Sequence, residues 1–182
     1  MPKPIHNRRS LSRRQVDAEL TGALDAFRRI VRVLRRSSRS TEREFGIGSA
    51  QLFVLQQLAA APARSVNDLA ERTYTHQSSV SAVLQRLVEQ GLVERRAATD
   101  DRRRRELKLT EAGRRLVERA PVPGQIHLIR ALGALPAKQL RALGGLLGRV
   151  VKLMGASAEP PTMLFSDPAA TMRRRSRKRR SP

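Results

Sequence analysis

The chain has 182 residues and carries 37 Lys and Arg against 16 Asp and Glu, a formal net charge of +21. At this length one hydrophobic core, with or without an oligomer interface, is expected, and a field of this sign selects polyanionic partners. The absence of Cys excludes disulfide scaffolds, thiolate metal sites and thiol nucleophiles.

No apolar run approaches the roughly 18 to 20 residues that a membrane span needs, so no membrane partner is expected. The aromatic residues, Phe27, Phe45, Phe53, Tyr74 and Phe165, are too few and too scattered for the stacking platforms of single-strand binders, so a duplex fits better. Only five of the 37 cations are Lys. Arg suits forked contacts with phosphate, although a codon preference explains the bias equally well.

Residues 1–11, with Pro2, Pro4 and Asn7, read as a flexible arm. The segment after it is amphipathic rather than continuously apolar, so the N-terminus is no secretory signal and a cytoplasmic protein is expected. Residues 15–36 place Val16, Leu20, Ala23, Leu24, Phe27, Ile30, Val31 and Leu34 at helical spacing. The other face of that helix carries Arg28, Arg29, Arg32, Arg35 and Arg36. After Gly46 and Gly48, Ser49 is suited to cap a second helix containing Leu52, Phe53, Leu55 and Leu58 and ending before Pro62. Ser65 with Asp68 three residues on predicts a short third helix to Arg72.

Thr75 to Gln90 is the most informative stretch. Thr75 or a neighbour is expected to cap its start, and Gly91 stands where a helix end takes a left-handed residue. Val80, Val83, Leu84, Leu87 and Val88 form the predicted core face. The opposite face presents Ser78, Ser79, Ala82, Gln85 and Arg86, with His76, Gln77 and Ser81 at its N-terminal edge. Small hydroxyls and amides let a helix approach DNA closely and offer donors and acceptors to base edges and phosphates. A plain solvated face would read the same on this helix alone.

Leu92 to Ala97 and Leu107 to Thr110 read as two antiparallel strands, with Thr99 to Arg102 in the turn. The tip between them carries Arg102, Arg103, Arg104 and Arg105 beside Asp100 and Asp101. Such a tip can enter a narrow minor groove, where negative potential is concentrated, or grip phosphates. A neighbouring Asp can orient one guanidinium through a forked hydrogen bond.

These residues resemble the MarR family of bacterial transcription regulators. The resemblance rests on Asp101-Arg102-Arg103 followed by Leu107-Lys108-Leu109-Thr110 and Glu111-Ala112-Gly113, on Asp68-Leu69-Ala70-Glu71-Arg72, and on the run from Leu84 to Arg95. It is strong over residues 65–116 and weaker over 13–155. It implies a mainly α fold with a small β wing (α+β): a winged helix-turn-helix at 45–110 and a helical dimerisation region at 12–44 and 111–156. It further implies a homodimer on a pseudo-palindromic operator in double-stranded DNA, more often a repressor, with recognition helices in major grooves and wings in minor grooves. Carried over, Asp101 and Arg103 take the wing pair, while Gln77, Ser78, Ser79 and Ser81 fall where base and phosphate contacts concentrate. Many relatives also respond to a small-molecule effector held between the dimer region and the winged domain. Here Phe27, Phe45, Phe53 and Tyr74 are conceivable lining, although each reads better as core.

The sequence departs from the family at Thr73-Tyr74-Thr75-His76, which lacks the usual Gly or apolar residue, and at Pro121, Pro123 and Gly124, which predict a break in the helix after the wing. A helix is expected to resume over Gln125 to Leu132, and a last one to start at Pro136 and carry Leu140, Leu143, Leu146, Leu147, Val150, Val151 and Met154. That face is too apolar to leave exposed in a monomer.

Residues 157–182 read as a basic disordered tail. From 159 on it holds a net +5, which leaves the remainder of the chain at +16. His6, His76 and His127 have no ligand spacing, so no metal or other cofactor is expected, and no catalytic constellation is present, so the chain reads as a non-enzyme. The alternative reading is a nucleoid-associated protein that coats duplex DNA with little sequence preference.

Overall fold

The computed structural model describes residues 12–97, 105–158 and 162–164. The first helix, α1 (Arg13–Phe45), starts at a reciprocal cap: the Ser12 hydroxyl accepts from the Gln15 N–H, and the Gln15 amide oxygen accepts from the Ser12 N–H. It ends at Gly46, in the left-handed region at φ +67°. It runs well past the predicted end at residue 36, through serines and a threonine with little intrinsic helix preference. Tertiary contacts hold the extension. Leu34 and Thr41 are buried, the Thr41 hydroxyl donates to the Ser37 carbonyl, and the Gly124 N–H donates to Ser37 Oγ at 2.8 Å.

Helix α2 (Ser49–Ala60) is the centre of the molecule and touches most of the other elements. Leu52, Phe53, Val54 and Leu55 are all essentially inaccessible, as expected of a helix apolar on every side. The cap differs from the sequence expectation: Ser49 is already the first helical residue, and the Gly48 N–H is satisfied by Gln51 Oε1 at 3.0 Å. Gln51 is itself buried and spends its amide on Gln90 Oε1 at 2.8 Å, so its polar atoms are paired.

Helix α3 (Val66–Arg72) starts as predicted, with Ser65 Oγ accepting from the Asp68 N–H. Helix α4 (Gln77–Glu89) follows after a four-residue turn, then strands β1 (Val93–Ala97) and β2 (Arg105–Leu109), antiparallel with Val93 opposite Leu109 and Ala97 opposite Arg105. Ala63 forms an isolated antiparallel bridge on the other edge of β2: its N–H and carbonyl pair with the Leu107 carbonyl and N–H at 3.0 and 2.8 Å. Along the strands Val93, Leu107 and Leu109 face the core, while Glu94, Arg96, Glu106 and Lys108 alternate to the other side.

Helix α5 (Glu111–Arg119) is capped by Thr110, whose hydroxyl accepts from the Gly113 N–H and donates to the Gly91 carbonyl at 2.7 Å. The predicted break follows, then α6 (Gly124–Gly133) and α7 (Ala137–Leu153). No residue of α7 is buried. A short turn at Ala156–Ala158 comes next, and Met163 is buried in the core, an apolar anchor where the sequence reading expected nothing to bury. Among the described residues no helix is long and apolar enough to cross a membrane.

Candidate nucleic-acid interface

Helix α4 is held by one face. Val80, Val83, Leu84 and Leu87 are buried among α2 and α3 residues, which turns the opposite face outward. His76, Gln77, Ser78 and Gln85 are exposed, and Ser79, Ser81 and Arg86 are half-buried at its margins. All seven residues predicted for the recognition face therefore lie on one accessible surface. Gln85 Nε2 donates to Glu89 Oε1 at 3.0 Å, so the acidic residue at the far end of the helix is engaged. Val88, predicted as core, is 41% exposed: it is turned about 90° from the centre of the buried face.

The start of the helix also differs in detail. His76 occupies the cap position without a side-chain cap bond, and Gln77 is the first helical residue, so the first N–H groups of α4 are not closed by a side-chain cap. Such N–H groups are ready donors for an anion.

The turn into α4 is closed internally. Thr73 is buried, and its hydroxyl donates to the Leu69 and Ala70 carbonyls at 2.8 and 3.1 Å. Tyr74 adopts φ +52°, the only positive φ of a non-glycine residue among those described, and is 79% exposed. A bulky residue in the left-handed region is strained, at a cost of roughly 1–2 kcal/mol. Tyr74 and Phe27, read from sequence as core, are thus both surface residues. Phe53 is buried, and Phe45 packs against the core.

Arg72 locks the loop before α3. Its Nε and Nη2 fork onto the two Asp68 carboxylate oxygens at 2.8 Å each, while Nη1 and Nη2 donate to the Ala61 and Pro62 carbonyls at 2.8 and 3.1 Å. The other partner of Asp68 is the Arg64 N–H. Ala63, between Pro62 and Arg64, pairs with β2, so the fork also sets the root of the hairpin.

Two ion pairs run along the stem of the hairpin: Arg96 with Glu94 at 2.8 Å and Lys108 with Glu106 at 3.0 Å. Of the residues predicted for the tip, Asp101, Arg102, Arg103 and Arg104 lie outside the described residues, and Arg105 is described only as the backbone start of β2. The hairpin root is fixed against the end of α4 through the Leu92 N–H to the Leu87 carbonyl and the Thr110 N–H to the Leu92 carbonyl. Sequence reasoning missed the Ala63 bridge and the carbonyl contacts of Arg72, both set by tertiary packing. Among the described residues no group of three or more His, Asp or Glu could hold a metal ion.

Helix, turn, exposed helix and two-stranded hairpin in this order define a winged helix-turn-helix, the architecture of a DNA-binding regulator. Residues 45–104 match the model of the MarR family, so the winged-helix segment is similar to that family. Comparison with curated proteins finds no match. Among solved structures, the chain is similar to MarR of E. coli in its apo form, at 26% identity over 68% of this chain and 95% of that one, TM-score 0.44. It is also similar to the MarR family regulator Sco3205 of Streptomyces coelicolor in complex with DNA, at 22% identity over 88% and 100%, TM-score 0.48. A third is the transcriptional regulator BldR of Sulfolobus solfataricus, at 20% identity over 76% and 99%, TM-score 0.46.

Proposed function

We propose that the protein represses transcription by binding a pseudo-palindromic operator as a homodimer, with the N-terminal half of α4 in the major groove and the arginine tip of the hairpin in the adjacent minor groove. The observation that carries this reading is the accessible row of His76, Gln77, Ser78 and Gln85 on a helix whose other side is buried. Those side chains can exchange hydrogen bonds with base edges, and they are short enough for the helix to sit deep in a groove. Arg103 is the residue proposed for the minor groove, oriented by Asp101.

Dimerisation is proposed for residues 12–44 and 111–156. It is supported by apolar side chains left in solvent: Val16, Leu20, Leu24, Phe27 and Ile30 on α1, Leu146, Val150 and Val151 on α7 and Met154 just after it are each 44–75% exposed. Faces of this kind mark protein contacts rather than a monomer surface, and a two-fold axis through them would present two α4 helices to one duplex. A regulator of chromosomal DNA would work in the cytoplasm.

The test is a gel-shift titration on genomic promoter fragments against random duplex. Arg103→Ala is expected to weaken operator binding while sedimentation still reports the dimer. Gln77→Ala and Ser78→Ala are expected to lower operator affinity more than random-duplex affinity, by roughly 1–3 kcal/mol each. Equal losses on both DNAs would reduce these residues to backbone contacts, and an unchanged Arg103→Ala titration would refute the wing assignment.

A further inference from the structure

On the C-terminal half of α1, Arg28, Arg32, Arg35, Arg36, Arg39 and Arg43 fall within about 100° of arc and along about 22 Å of helix. All six are exposed. Arg28 pairs with Asp25 at 2.8 Å, and among the described residues the other five have no carboxylate partner. We infer that this stripe is a second DNA-binding surface, which grips the sugar–phosphate backbone of duplex DNA without reading sequence and independently of the winged helix.

Placement supports it. The side of α1 that packs on the body carries Leu34, Ser37 and Thr41, roughly opposite the stripe, so the arginines point away from the protein. Arginines three and four apart on a helix repel one another, and within the described residues only Arg28 has an ion-pair partner. An external polyanion would relieve the rest.

Form selects the partner. The open space between these side chains, about 810 Å³, is lined by α1 alone, so a small anion would be held from one side only, whereas an extended polyanion meets every guanidinium. A duplex presents about one charge per 1.7 Å, so about 13 phosphates lie alongside 22 Å of helix. The stripe holds no lysine, and the guanidinium fork matches phosphate geometry. An anionic bilayer fits less well. No exposed apolar residue of α1 lies beyond Val33, and the side opposite the arginines is buried against the body at Leu34 and Thr41, so the segment from Arg35 to Arg43 has no apolar face to lay into lipid.

The test uses the full chain and a random-sequence duplex, so it does not depend on operator recognition. Arg32, Arg35, Arg36, Arg39 and Arg43 are replaced together by Gln, and in a second variant by Lys, with helical content checked by circular dichroism. Five phosphate contacts contribute a log–log salt slope of about −4.5, so between about 50 and about 200 mM salt the native chain should lose about 500-fold more affinity than the Gln variant. The Lys variant should keep the native slope. Arg103→Ala should change the slope by only about one unit, so a failure of the wing assignment appears in that variant and a failure of the stripe in the other. A Gln variant with native helicity and an unchanged slope overturns the proposal. So does one that keeps the slope but loses retention on vesicles of anionic phospholipid.

Discussion

Gly113 sits where the first turn of α5 crosses the root of the wing, and it has no room for a side chain. A Cβ there would lie 2.2 Å from the Leu92 carbonyl oxygen, 3.2 Å from its carbon and 3.4 Å from Leu109 Cδ2. The nearest of these is backbone, so no rotamer change relieves the contact, and α5 and the start of β1 must separate by about 1 Å. Gly113→Ala would therefore cost about 2–3 kcal/mol of overpacking. It would weaken the Thr110 N–H bond to Leu92 and the Thr110 hydroxyl bond to Gly91, for about 1–2 kcal/mol more. The gain in helix preference, about 1 kcal/mol, offsets part of this. The net loss is about 3 kcal/mol, or about 10 °C in Tm at this chain length. The assay is thermal unfolding at fixed protein concentration, with Gly22→Ala as the internal control. Gly22 lies inside α1 with nothing within 4 Å of its would-be Cβ, so that variant should gain about 0.5–1 kcal/mol. If Gly113→Ala is as stable as the native chain, the close approach does not matter and the reasoning fails.

Tyr74→Gly removes the left-handed strain and should raise stability by about 1 kcal/mol; a lower Tm would show that the exposed ring contributes more than its backbone costs. Arg72→Ala removes the fork onto Asp68 and two carbonyl contacts, for a loss of about 2 kcal/mol by urea unfolding. Arg72→Lys should restore less than half of it, because a single ammonium cannot span the carboxylate and both carbonyls; full rescue by Lys would reduce the site to simple charge pairing.

The elements with strong local signals were legible in the residues. Ser65 and Asp68 mark a helix start that the structure reproduces, Gly91 takes the left-handed conformation its position calls for, and the proline–glycine cluster at 121–124 ends α5. The outward face of α4 was equally readable, because helical period alone separates Ser78 and Gln85 from Val80 and Leu84. Propensity misjudged α1, whose serine-rich end buries Leu34 and Thr41 and accepts the Gly124 N–H at Ser37. It also could not show that Tyr74 would accept a glycine conformation, since chain direction between two docked helices imposes it.

By itself, then, the sequence determined the helical period, the Ser65 cap, the charge and the order helix, turn, helix, hairpin, all of which depend on residues within a few positions of one another. The tertiary structure decided what depends on distant partners: that Ala63 pairs with the outer edge of β2, that Gly113 has no room for a side chain, that Met163 returns to the core, and that the arginine face of α1 continues through Arg39 and Arg43. Local propensity is a sum over neighbours in the chain. Packing is a constraint among residues that only the fold brings within reach.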